Sequence, residues 1–201
     1  MPVKSQEIKG LSFLRLAGAS GILGSLLPLG MVLSATFLSP WFSWNENALS
    51  ELGLGEQAIL FNGAMLIGGA LNLVFALGLY KYLIKEKLSR AGVVSILLSS
   101  VSLALVGVFT INYHIPHGLA AFGYFVFAPA GFLLIGFGEE EDTIRKLSLA
   151  CGFAALLAIL VLPTAVLVLS LNVGFAVPEL VEGLIISTWT IYMSVRLLRR
   201  L

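Results

Sequence analysis

The chain has 201 residues, of which 58% are hydrophobic and 11% charged. Soluble domains carry about 25% charged residues, and disordered chains carry still fewer apolar ones, so both classes are excluded. A net charge of +1 and a single cysteine, Cys151, exclude a general attraction to nucleic acid, an intrachain disulfide and a cysteine-built metal cage.

A helix rises about 1.5 Å per residue, so about 20 apolar residues cross a hydrocarbon core of about 30 Å. Six stretches qualify: Phe13–Leu38, Ile59–Tyr80, Gly92–Ile111, Gly118–Phe137, Leu147–Ser170 and Leu180–Leu198. Their continuous apolarity predicts helices, because barrel strands would alternate. The expected fold is therefore an all-α integral membrane protein, a single six-transmembrane-helix bundle spanning residues 1–201. The first stretch is too long for a cleavable signal and is expected to remain.

The first link, from Ser39 to Gly53, places Trp41, Trp44, Ala48, Leu49 and Leu52 at helical spacing. It predicts a short amphipathic interfacial helix, with Asn45 as N-cap and Trp41 and Trp44 as interface anchors. Within the spans, Pro28, Pro129 and Pro163 should bend their helices, and the many glycines should allow close helix approach. Asn72 is a strongly polar side chain at mid-span, suited to an interhelical hydrogen bond or to a ligand. Trp189 lies at similar depth, as core filling or as a cavity wall.

All twelve Lys and Arg fall on one set of connections: the leader, the links near Lys81–Arg90 and Arg145–Lys146, and the tail. The positive-inside rule then places both termini in the cytoplasm, as expected for an even number of spans. Six acids (Glu7, Glu86, Glu139, Glu140, Glu141 and Asp142) share that side. The opposite side holds Glu46, Glu51, Glu56, Glu179 and Glu182, with His114 and His117 and no Lys or Arg.

That acidic outer side carries the candidate chemistry. His114 and His117 are three apart near a helix start, and imidazole is both a metal ligand and a proton carrier. Glu179 follows Pro178 at the start of the sixth span, where a carboxylate favours the helix dipole. Glu182 lies a turn deeper, where an ionised carboxylate needs a partner. The expected catalytic residues are Glu51, Glu182 and His117. Ser50, Asn62, Asn72 and Trp189 are expected to bind ligand. His114, His117 and Glu182 form an expected metal set, since two imidazoles and a carboxylate suit a divalent ion such as zinc.

The stretch Asn47-Ala48-Leu49-Ser50-Glu51-Leu52-Gly53-Leu54-Gly55, with Phe61-Asn62-Gly63, Gly68-Gly69 and His117-Gly118-Leu119-Ala120-Ala121, resembles the six-span membrane proteins grouped as domain of unknown function 998. The resemblance covers at least the first five spans. It implies that the Ser50-Glu51-Leu52-Gly53 loop, Asn62 and His117 mark a shared outer-face feature, and it implies no activity. Family members often carry Asp where this chain has Glu51.

The function expected from these residues is binding of a lipid headgroup or small lipid-linked ligand in an outward-facing His/Glu/Asn pocket, with metal-assisted hydrolysis or transfer as its catalytic form. Binding or transport of a small solute or cation is one alternative. A non-catalytic accessory subunit is another. Membrane lipids are the expected partners in each case.

Overall fold

The computed structural model describes residues 2–83, 86–168 and 174–199; Lys85, Arg200 and the expected end of the fifth span at Ser170 lie outside them. The side chains of residues 1–9 and of Pro163 are also outside the description. Six α-helices follow one another: α1 Pro2–Phe37, α2 Ala58–Tyr82, α3 Lys87–Val108, α4 His114–Gly138, α5 Asp142–Val168 and α6 Ala176–Arg199. All six are long and apolar enough to cross a membrane, and the chain is an integral membrane protein. In lipid only a backbone that satisfies its own polar groups can span, which is why the apolar runs become helices.

The helices alternate in direction. Each packs against its neighbours in sequence, and α6 closes the bundle against α1 and α5 while barely touching α4. The bundle therefore has a basic end, with the links after α2 and α4, and an acidic end, with the links after α1, α3 and α5. Glycine sets the closest approaches. A Cβ on Gly78 would fall 2.2 Å from the Ala17 Cβ, and one on Gly69 would fall 2.5 Å from the Ala104 backbone nitrogen. Without a hydrophobic drive between helices in lipid, this contact area is what binds α1 to α2 and α2 to α3.

Two cores result. The larger one, towards the basic end, is built around Phe75, Phe132, Trp189, Met193 and Leu197. Trp189 stacks on Phe132 at 4.3 Å between ring centres and meets Phe75 edge-on. Its indole N–H donates to Ser148 Oγ at 2.9 Å. Such ring pairs add about 0.5–1.5 kcal/mol beyond their burial. The smaller core, at the acidic end, joins Val32, Phe61, Ala64 and Val106 to Leu49 and Leu52 of the first link.

That link departs from expectation. Instead of an amphipathic helix starting at Asn45, it makes turns through Asn47 and one 3-10 turn, Leu49–Gly53. Leu49, Ser50, Leu52 and Gly53 are buried. Trp41 remains exposed as a candidate anchor, but Trp44 packs with Phe42 against the smaller core. The physical reason is local competition. Asn47 accepts from the Ser43 amide through Oδ1 and donates to Glu51, so side chains take hydrogen bonds that a helix would need. The link thus forms a plug folded into the bundle end.

Pro28 accounts for Asn72. Proline has no N–H, so the carbonyl four residues earlier, Gly24, loses its helical donor. Asn72 Nδ2 donates to Gly24 O at 3.1 Å and replaces it across the α1–α2 interface. Replacing Asn72 by Leu should cost about 1–3 kcal/mol, the usual penalty for an orphaned buried acceptor. In a Pro28→Ala background the restored N–H should return to Gly24 O and remove most of that cost. Thermal unfolding followed by thiol labelling of the buried Cys151 would measure the cycle; equal costs in both backgrounds would refute the pairing.

Candidate functional site

A cavity of about 880 Å³, its open side included, lies in the acidic half of the bundle. Its walls come from five helices and the plug. Leu29, Val32, Phe61, Met65, Leu103, Val106, Ala121, Phe125 and Ile186 make most of it apolar. Along α6 it reaches from Glu179 to Thr190, about 16 Å at 1.5 Å per residue, or half the thickness of a bilayer core. Below it the cores of Phe75, Trp189 and Phe132 are fully packed.

The polar groups of the cavity are fixed by the backbone they serve. His117 is buried in the first turn of α4, and its Nδ1 lies 2.7 Å from the carbonyl of Phe109, the residue that ends α3. A carbonyl only accepts, so Nδ1 carries a proton, and in the neutral ring Nε2 keeps its lone pair. Ser25 Oγ donates to Gly21 O at 2.9 Å. Asn72 spends Nδ2 on Gly24 O and keeps Oδ1. Glu179, in the first turn of α6, accepts the Leu49 amide at 2.6 Å, with the Ser50 amide facing the same carboxylate. Ser50, Tyr124, Ser187 and Thr190 complete the polar lining. The lining contains no Lys or Arg among the described residues.

Glu179 also closes the site. The amides at the start of the 3-10 turn have no partners within it. Glu51 Oε1 takes that of Ala48 at 2.8 Å, and Glu179 takes that of Leu49. The Ala176 amide donates to Asn47 O at 3.0 Å, and Gly174 approaches that oxygen so closely that a Cβ would fall 2.5 Å from it. Asn62 Nδ2 holds the other end of the turn through Gly53 O at 3.1 Å. The plug is therefore tied to α2 and α6 by named bonds.

The residues singled out from sequence separate into two groups. Ser50, Asn72 and His117 line the cavity. Glu51 and Asn62 lie outside its lining and serve the plug, so Glu51 is placed as a capping group where a catalytic carboxylate was expected. Trp189, expected to touch ligand, is sealed in the larger core with its N–H bonded to Ser148. His114 is exposed at the start of α4. Glu182 is 3% exposed, outside the lining, and near enough to the Tyr124 hydroxyl to act on it electrostatically. One of its oxygens has no partner. Among the described residues no three His, Cys, Asp or Glu are grouped to hold a metal ion, so the set His114, His117 and Glu182 is not assembled. His117 faces the cavity while His114 faces away because residues three apart in a first turn still differ by about 60° around the axis.

Glu179 is the residue the sequence reading set aside. Its position after Pro178 explained it fully as a helix-dipole carboxylate, and its partner Leu49 lies 130 residues away. Tyr124 and Ser25 likewise give no signal in a run of apolar neighbours.

Residues 22–196 match the family model described as "Protein of unknown function (DUF998)". The chain belongs to this family. Comparison with curated proteins and with solved structures finds no match. Membership carries no activity, so the chemistry must come from the cavity itself.

Removing the Glu179 carboxylate should free the plug. In Glu179→Ala, and in Glu51→Ala, hydrogen exchange over residues 48–54 should accelerate at least about tenfold, the scale of a lost charge-assisted bond. Exposed Glu46→Ala should leave it unchanged. Unaltered protection in the first two variants would refute the tether.

Proposed function

We propose that this protein binds one amphiphilic molecule, a lipid or lipid-linked ligand, in the cavity at the acidic end. The observation that carries this reading is a bundle interior with mostly apolar walls over about half the membrane and with Ser50, His117 and the carboxylate Glu179 at its head under the plug. An acyl or alkyl chain matches the walls, and a polar head matches the cluster. The packed core beneath favours binding over passage, since a transported solute would need a polar track. Metal-assisted hydrolysis finds less support, because the ligand set it requires is dispersed.

We infer further that the acidic end faces outward. Lys81, Lys87, Arg90, Arg145, Lys146, Arg196 and Arg199 all sit at the other end, the side that cytoplasmic loops occupy. In a Cys151→Ser background, Asn45→Cys should label with an impermeant maleimide in intact cells, whereas Thr143→Cys should label only after permeabilisation. The reverse pattern would invert the topology and place the site in the cytoplasmic half.

Ala121 lines the cavity, and Ala121→Trp should fill it. Native mass spectrometry of the wild-type protein should show a bound lipid-sized adduct that the variant loses. A variant that keeps its fold and the full adduct would overturn the amphiphile reading.

A further inference from the structure

Every polar side chain at a membrane ligand site is a donor, an acceptor or both, and the complement of the set defines the ligand's head. Here three of the donors are consumed internally. His117 gives its Nδ1 proton to Phe109 O, Ser25 its hydroxyl to Gly21 O, and Asn72 its Nδ2 to Gly24 O. The atoms these three leave over are His117 Nε2 of the neutral ring, Ser25 Oγ and Asn72 Oδ1, all acceptors, beside the hydroxyls of Ser50, Tyr124, Ser187 and Thr190, which can donate or accept. Ionised Glu179 is an acceptor alone, and a carboxylate has about four lone-pair sites, more than the plug amides use. No Lys or Arg lines the cavity among the described residues, and the three acidic-end links contain none at all.

This arrangement is poorly matched to a phosphate or carboxylate, which would meet a carboxylate and several acceptors, with hydroxyls as its donors and no cation among the described lining residues. A quaternary ammonium would find charge but could use none of the acceptors. A primary ammonium carries a positive charge and three N–H donors, which suit Glu179, His117 Nε2 and the Ser50 hydroxyl at the head of the cavity. A second observation points the same way. Glu182 lies one turn below Glu179, buried just outside the lining with an unpartnered oxygen, and no described Lys or Arg forms an ion pair with either carboxylate.

We propose that the head recognised under the plug is a primary ammonium carried on an apolar chain. The proposal rests on the amphiphile reading above and narrows it to one head chemistry. The amine could arrive on a lipid or as a free small amine, and chain length separates these sources.

The test uses the full chain in phosphatidylcholine nanodiscs, with thermal unfolding read by Cys151 labelling against increasing probe. Dodecylammonium should stabilise the wild-type protein with an apparent affinity at least about tenfold tighter than dodecyltrimethylammonium, which has the same charge and tail but no N–H. Dodecanoate should not stabilise. Ala121→Trp should abolish the effect, and Glu179→Gln should remove most of the preference between the two cations. Because Glu179 also tethers the plug, the probe series on the wild-type protein decides the matter even if that variant fails to fold. Equal affinity for the two cations, or stabilisation by dodecanoate, with Ala121→Trp still blocking, would sink the ammonium assignment and leave the amphiphile reading standing. No cavity-dependent effect from any dodecyl probe would sink both. Propylammonium matching dodecylammonium would support the donor match while assigning the site to free amines and overturning the lipid source.

Discussion

The interior of a membrane offers no water to a stranded polar group, and this bundle is arranged around that constraint. Pro28 strips Gly24 O of its helical donor, and Asn72 supplies another from α2. The end of α3 leaves a carbonyl at Phe109, and His117 answers it from α4. The 3-10 turn begins with unpartnered amides, and Glu51 and Glu179 accept them. Except for Glu51, which caps its own turn, each polar residue is accounted for by a backbone atom on a different element. The bonds are individually modest, about 1–3 kcal/mol. Their effect is to fix the register of α1 on α2, of α3 on α4, and of the plug on α6.

The same bonds decide what the cavity offers. A side chain that donates to the protein turns its remaining lone pairs elsewhere, so structural satisfaction and ligand selectivity have one cause. The cavity is rich in acceptors because the backbone atoms stranded next to it, Gly24 O and Phe109 O, are themselves acceptors and consume donors. Among the helix starts at this end, the first amides of the plug are covered by Glu51 and Glu179, which cancels their pull on an anion and leaves a carboxylate in its place.

Fold and site differ in how far sequence reveals them. The spans were readable because apolar length is a local property: Ile59–Tyr80 was expected and Ala58–Tyr82 forms, and charge at the helix ends explains the remaining residues. The plug was misread because the spacing of Trp41, Trp44, Ala48, Leu49 and Leu52 fits a helix face equally well. Only the side chains of Asn47 and Glu51, bonding back to the loop, select turns instead. Site residues fared according to whether their partners were local. Ser50, Asn72 and His117 stood out as polar groups in apolar surroundings and do line the cavity. Glu51 and Asn62 stood out for the same reason, yet their partners are turn atoms. Glu179 was hidden because an adequate local explanation existed and its partner, the Leu49 amide, becomes visible only in three dimensions.

Glu182 is the exception that gives the constraint functional weight. It is as buried as the core, and one of its oxygens stays without a hydrogen-bond partner. An unpartnered carboxylate at that depth is expensive unless it holds a proton or faces a cation. Its neighbours on α6, Glu179 and Gly183, line the cavity, so a positive head seated at Glu179 would lie within about a turn of it. A packing role offers no reason to keep an acid there, since Gln or Leu would fill the same volume at lower cost. The charge arrangement of the acidic end therefore reads as a cation's complement held in waiting: a carboxylate at the rim with capacity to spare, a second beneath it unanswered, and no basic side chain on that side of the membrane to neutralise either.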